Sequence, residues 1–203
     1  MDFIFGKNGL MIKRWANGED QSPVNQVEIA LPIKSIGHST TTIVDVKDYT
    51  TAKQVITFLA DMISVRLRQG GLVCRGISVN IRYNNLTSIS KQTTLEYQTF
   101  DGGTIAKSAY NLLLTMWQGT KDIPLRLIGI STHELSAVAQ DTQESLFKLS
   151  DSEDLNSLNF TIDKIRKKYG YTIIQKATTI NNNVMTDKSP IEDTEFIPFK
   201  KLN

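Results

Sequence analysis

The chain has 203 residues, 40% of them hydrophobic, which is enough for one moderate core with an appendage or for two small cores. No apolar run approaches the ~20 residues of a membrane span, and no charged start followed by an apolar block marks a signal peptide, so the chain is expected in the cytoplasm. A single cysteine, Cys74, excludes an intramolecular disulfide, and with only His38 and His133 the usual zinc spacings cannot be assembled; Cys74 and His133 are expected to be structural. The formal charge of +2 is unevenly spread: residues 34–136 hold eleven Lys and Arg against seven Asp and Glu, while both flanks are slightly acidic. That is a mild signal for a surface that meets a polyanion.

In chain order, GKNGLMIKRWANGED (6–20) makes a short helix carrying Met11, Ile12 and Trp15 and ended by Gly18, followed by linker-like sequence. KSIGHSTTT (34–42) has strand composition. TTAKQVITFLADMISVRLRQGG (50–71) sets Ala52, Ile56, Leu59, Ile63 and Leu67 on one helical face and stops at Gly70-Gly71. GISVNIRYNN (76–85) alternates Ile77, Val79, Ile81 and Tyr83 inward with Ser78, Asn80 and Arg82 outward, and SISKQTTLEYQT (88–99) follows a short Asn-Asn turn, predicting a hairpin. DGGTIAKSAYNLLLTMWQG (101–119) places Ile105, Ala109, Leu112 and Met116 on one face, with Asp101 or Thr104 as cap, before IPLRLIGIST (123–132) returns to strand character. The order is βαββαβ. It predicts an α+β fold: a four-stranded antiparallel sheet with two helices on one face, plus a C-terminal helix and tail. The other face would be free, showing Ser78, Asn80 and Arg82 with small or polar residues from the remaining strands.

Past residue 136 a polar stretch, TQESLFKLSDSED, sets Leu146 and Phe147 side by side with no helical stripe through them. Local sequence leaves two readings open, insertion into another molecule or pinning of the linker to its own domain. SDSEDLNSLNFTIDKIRKKYG (150–170) has Ser150 and Glu153 at capping-box spacing and Leu158, Ile162, Ile165 and Tyr169 along one face. Residues 181–203 carry little apolar content and are expected to be largely disordered.

Several motifs fail on inspection. GGTIAKS (102–108) has Ala106 where a phosphate loop needs glycine and no strand leading into it, so it is read as a helix start. DSED (151–154) clusters carboxylates at a helix opening, where acidic residues suit the dipole. The apolar residues of QVITF (54–58) belong to a helix stripe. Two histidines and one cysteine build no Ser-His-Asp or Cys-His constellation, so no metal site and no catalysis is expected within this chain.

The succession GKNG, WANGED with SPV, KSIGHSTT, a helix ending in RLR, SKQTTL and PLRLIGIS resembles the C-terminal part of Y-family translesion DNA polymerases of the DinB/UmuC (ImpB/MucB/SamB) type. The similarity runs from about Gly6 to about Ser136 and less specifically to Thr178; TIDKIRKKYG is most similar to the subgroup of Gram-positive bacteria and their mobile elements. The resemblance implies that residues 1–24 are the end of a thumb-like region, 25–33 a linker, 34–136 the DNA-binding little finger, 137–149 a clamp-binding linker, 150–180 a C-terminal helix with a short extension, and 181–203 a tail.

The implied function is DNA gripping and sliding-clamp tethering in translesion synthesis and DNA repair. The family's palm and fingers would lie before residue 1, and nothing in 1–203 replaces their metal-binding carboxylates. This chain alone is therefore expected to be non-catalytic and without a cofactor, magnesium belonging only to the catalytic part. The resemblance carries phosphate-contact roles onto Lys34, Ser35, Gly37, His38, Ser88, Ser90, Lys91 and Arg126, and the alternation adds Arg82; such contacts position DNA without reading its sequence. Gln143, Leu146 and Phe147 match the Q-x-x-L-F peptide by which bacterial polymerases bind the sliding clamp, Leu and Phe filling apolar pockets and Gln contacting their rim. The implied partners are primer-template DNA and the bacterial sliding clamp, with no membrane. A non-catalytic ferredoxin-like module that titrates the clamp or a polymerase partner is the alternative. An RNA-recognition module shares the element order, but no strand carries its paired stacking aromatics.

Overall fold

The computed structural model describes residues 5–23, 33–117, 123–138 and 151–179. The chain divides into two compact units, one built on Met1–Pro32 with Phe199–Asn203 and the other on Ile33–Pro198. In the first, helix α1 (Lys7–Ala16) ends in Lys13 and Arg14, cations suited to the negative helix terminus, and Gly18 closes it at φ 74°. Its apolar residues Leu10, Met11, Ile12 and Trp15 are all exposed.

The second unit runs β1 (Ser35–Val46), α2 (Tyr49–Gln69), β2 (Leu72–Tyr83), β3 (Ser88–Thr99), α3 (Gly102–Met116), β4 (Leu125–His133), β5 (Ser136–Ala137) and α4 (Asp151–Tyr169), then two single 3₁₀ turns. The long strands are all antiparallel in the order β1-β4-β2-β3, and short β5 pairs with the start of β2. The fold is thus α+β with the predicted sheet; β5, two residues long, carries too little pattern to read from sequence.

Local chemistry sets the helix starts. The carboxylate of Asp48 accepts from the Thr51 backbone N–H at 2.8 Å, and that bond holds its pKa below the ordinary carboxylate value. Asp101 caps α3 in the same way through Thr104 N–H at 2.6 Å, which decides between the two cap candidates. The apolar stripes then face the sheet: Ala52, Ile56, Leu59, Ile63 and Leu67 of α2 and Ile105 and Ala109 of α3 are fully buried against Ile77, Val79, Ile81 and Ile128. Each fully buried aliphatic side chain contributes about 1.5–3 kcal/mol, so this layer dominates the stability of the unit. Polar groups within it are satisfied: Thr132 Oγ1 donates to the Ile36 carbonyl at 2.8 Å and Trp117 Nε1 to the Ile123 carbonyl at 3.0 Å. Cys74 lies in this core, where burial pushes its thiol up to about 11, the state of an inert structural cysteine.

The C-terminal segment adds a third layer behind α2, and it docks differently from the expected apolar stripe. Leu158 and Tyr169, the ends of that stripe, are exposed, while Ile162 and Ile165 between them are half-buried. The contacts come from Phe160, Asp163 and Arg166, spaced three residues apart on another face of α4. Arg68 of α2 grips Asp163 with two bonds, Nε at 2.6 Å and Nη2 at 2.9 Å, with side chains only 4% and 15% exposed. Arg166 pairs with Asp61 at 2.9 Å, donates to the Ile174 carbonyl, and stacks 4.3 Å from the Tyr171 ring centre. Tyr171 donates its hydroxyl to Asp61; burial and then that carboxylate push its pKa up, so it stays a protonated donor. A small apolar cluster of Met62, Val65 and Tyr171, with Phe58 against it, completes the contact.

Candidate nucleic-acid interface

Side chains alternate across a strand, so the helix-covered face of the sheet fixes what the other face must show. The register gives that open face in cross-strand rows. Ser35 pairs with His133, His133 with Gly76, and Gly76 with Thr94; the next rows are Gly37-Ser131-Ser78-Gln92, Ser39-Gly129-Asn80-Ser90 and Thr41-Leu127-Arg82-Ser88. Hydroxyls, amides and glycines dominate it. Its centre is a shallow depression of about 370 Å³ lined by Gly37, His38, Ser39, Ser78, Asn80, Gly129, Ile130 and Ser131. Ile130 is core and His38 shares its side of the sheet, so alternation assigns their main chain to the floor.

Glycine keeps this surface flat. A Cβ on Gly129 would meet Cβ of Ser39 at 2.9 Å, and one on Gly76 would meet the His133 ring at 2.1 Å. The positive end of the face is Arg82, whose Nε donates to Ser88 Oγ at 3.1 Å across the hairpin. That bond holds the guanidinium against the sheet while its Nη groups remain for a ligand such as a phosphate, which a planar five-donor fork suits. No cluster of three or more metal-ligating side chains occurs among the described residues, and no described helix is long and apolar enough to cross a membrane.

The structure gathers most of the sequence-predicted residues. Ser35, Gly37, Arg82, Ser88 and Ser90 lie together on the open face, with exposed Lys34 just before β1. Two others do not share that surface. Lys91 follows Ser90 by one residue and so points to the helix side, where its Nζ donates to Thr115 Oγ1 of α3 at 3.0 Å; His38 follows Gly37 and turns the same way. Alternation by two thus sets Lys91 and His38 on the side opposite Ser90 and Gly37. Arg126 is passed over in the register of β4 with β2, where β4 steps from Leu127 to Leu125 while β2 advances only from Arg82 to Tyr83, so it is the extra, exposed residue of a bulge against β2. Gln143, Leu146 and Phe147 lie outside the described residues. Sequence reasoning missed Ser39, Gln92, Ser131 and His133 as members of the face; Ser131 and His133 join it because β4 lies between β1 and β2.

Residues 33–146, more than half of the chain, match the impB/mucB/samB family C-terminal domain. The chain belongs to this family. Relatives include DNA polymerase IV of Clostridium kluyveri, 31% identical over 185 residues covering 88% of this chain and 45% of that protein, and DNA polymerase IV 1 of Bacillus subtilis, 28% identical over 98% of this chain and 47% of that protein. The chain thus spans a little under half the length of these relatives, and it corresponds to the C-terminal part of a Y-family polymerase. A Y-family DNA polymerase chimera superimposes with a TM-score of 0.51 at 18% identity, covering 67% of this chain and 38% of its own length, a likeness of fold.

Proposed function

We propose that this chain serves as the DNA-gripping and clamp-tethering region of a Y-family translesion polymerase active in DNA damage tolerance. The observation that carries the reading is the sheet face opposite α2 and α3: four strands of hydroxyls, amides and glycines with Arg82 at one end, in a domain of a DNA polymerase family. Such a face approaches a duplex closely and bonds phosphates through hydroxyls and main chain, contacts that hold register without reading bases. Its modest charge makes the binding weak and salt-sensitive, since each neutralised phosphate releases counterions. Gln143, Leu146 and Phe147 would tether the polymerase to the sliding clamp, a reading supported by the motif alone.

The test is binding of the 203-residue chain to a labelled primer-template across a salt series, and to a bacterial sliding clamp. Arg82→Ala should weaken DNA binding alike on unrelated sequences and flatten the log-log salt slope by about 0.9. Leu146→Ala with Phe147→Ala should abolish clamp binding and leave DNA binding intact. A chain that binds clamp but no DNA would favour a clamp-titrating module instead.

A further inference from the structure

His133 sits where the proposed DNA face would put it to use. It lies on β4, an inner strand, and is half-buried between β1 and β2 on the side of the sheet opposite α2 and α3. Its cross-strand partners are Ser35 and Gly76. The ring lies across Gly76: a Cβ there would stand 2.1 Å from Cδ2 and 2.2 Å from Nε2, so only glycine leaves room for it. Its side chain makes no hydrogen bond or ion pair to another described residue. An imidazole held in place by a bare stretch of main chain, in a row of hydroxyls, is oriented by packing and keeps its N–H capacity for something that arrives.

Resting on the proposed function, we propose that His133 is a proton-dependent contact to the DNA backbone: its imidazolium neutralises one phosphate when the duplex lies on the open face. Histidine changes charge between about pH 5 and 8, and a phosphate partner favours the charged form. The surrounding charges do not pre-empt that role. Lys34 and Arg75 each lie one residue from a cross-strand partner of His133, and Arg75 donates its Nε to the Leu95 carbonyl. Glu134 follows on the same strand at φ 53°, Glu96 stands two residues past Thr94 on β3, and Arg66 of α2 reaches the Gly37 carbonyl at 3.3 Å. The sign follows from charge: the imidazolium adds a cation to the face, so affinity is higher at the lower pH.

The experiment measures dissociation constants of the full chain for a labelled duplex at about pH 6 and about pH 8, each over a salt series. The wild-type chain should bind on the order of fivefold tighter at the lower pH, with a salt slope steeper by about 0.9. His133→Gln should remove both differences and bind at the weaker level throughout. His133→Arg, whose charge does not titrate, should bind at the tighter level at both pH values, a rescue that a merely structural role would not give. Gly76→Ala, which displaces the ring, should behave as His133→Gln where it remains folded by thermal melting. DNA binding whose pH dependence survives His133→Gln overturns this inference alone. Absence of duplex binding at low salt overturns the proposed function and this inference with it.

Discussion

The two faces of the sheet are written by the same strands and differ at every second residue. On one face Ile77, Val79, Ile81 and Ile128 are sealed beneath two helices; on the other Ser78, Asn80 and Gly129 are their immediate neighbours along the chain. The helix side is selected for volume and apolarity, because a core loses several kcal/mol for each misfit. Within the four registered cross-strand rows of the open side, Leu127 is the one large apolar residue. A face without helices or large apolar groups is stable in water and remains available to a polar partner.

The largest effect should come from breaking this contrast with one carboxylate placed on either side. Ile128→Asp buries an unpaired charge at a fully buried position, a cost comparable with the ~5–15 kcal/mol that holds a whole domain, so thermal melting should show no folded state. Ser131→Asp, three residues on and on the open side, should melt close to wild type. Loss of folding in both would mean that the open face is packed.

A second contrast lies between the two docked layers. Apolar packing joins the sheet to α2 and α3, whereas α4 is held largely by ion pairs, and exposed pairs are worth little. These are not exposed: Arg68 is 4% accessible, so Asp163→Ala should cost about 3 kcal/mol by stranding its guanidinium. Replacing Arg68 and Asp163 together by Met and Leu should recover most of that loss, since buried pairs break roughly even with apolar substitutes. Equal destabilisation of single and double variants in urea unfolding would contradict the ion-pair account.

The smallest effect concerns the cap of α2. Asp48→Ala should cost about 1 kcal/mol. The folded pKa of Asp48 is depressed, so its contribution is present above the unfolded carboxylate value of about 4 and disappears as pH falls through the folded value. Wild type and Asp48→Ala should therefore converge in stability in acid; a constant difference down to about pH 2 would remove the charge from the explanation.

The sheet and its two helices were legible because the period changes cleanly from two to 3.6 and back, and because Asp101 and Gly70 mark helix ends, whereas the Asp48 cap of α2 emerged only from the structure. The open face was legible in part. Ser78, Asn80 and Arg82 follow from one strand's alternation, but adding His133 and Ser131 requires knowing that β4 lies between β1 and β2, which is a matter of strand order. Lys91 falls on the other side from Ser90 because the resemblance was carried along a contiguous run, SKQTTL, whose neighbours face opposite ways. The docking of α4 was hidden for a different reason: its stripe Leu158, Ile162, Ile165 and Tyr169 is the obvious apolar face, yet Arg68 and Asp163 stand 95 residues apart and no local pattern pairs them. Arg166, buried to 5% accessibility, reads in sequence as one of three basic residues ending a helix.

That DNA meets the sheet on the side opposite α2 and α3 is tested most directly by a matched pair of substitutions. Asn80 on the open face and Asn111 on α3 are both exposed, and changing either to Glu alters the net charge by the same amount. Their dissociation constants for one primer-template at one low salt concentration should differ sharply. Asn80→Glu should weaken binding about tenfold or more by setting a carboxylate against phosphate, while Asn111→Glu should stay within about twofold. Equal losses in the two variants, or a larger loss at Asn111, would contradict the account.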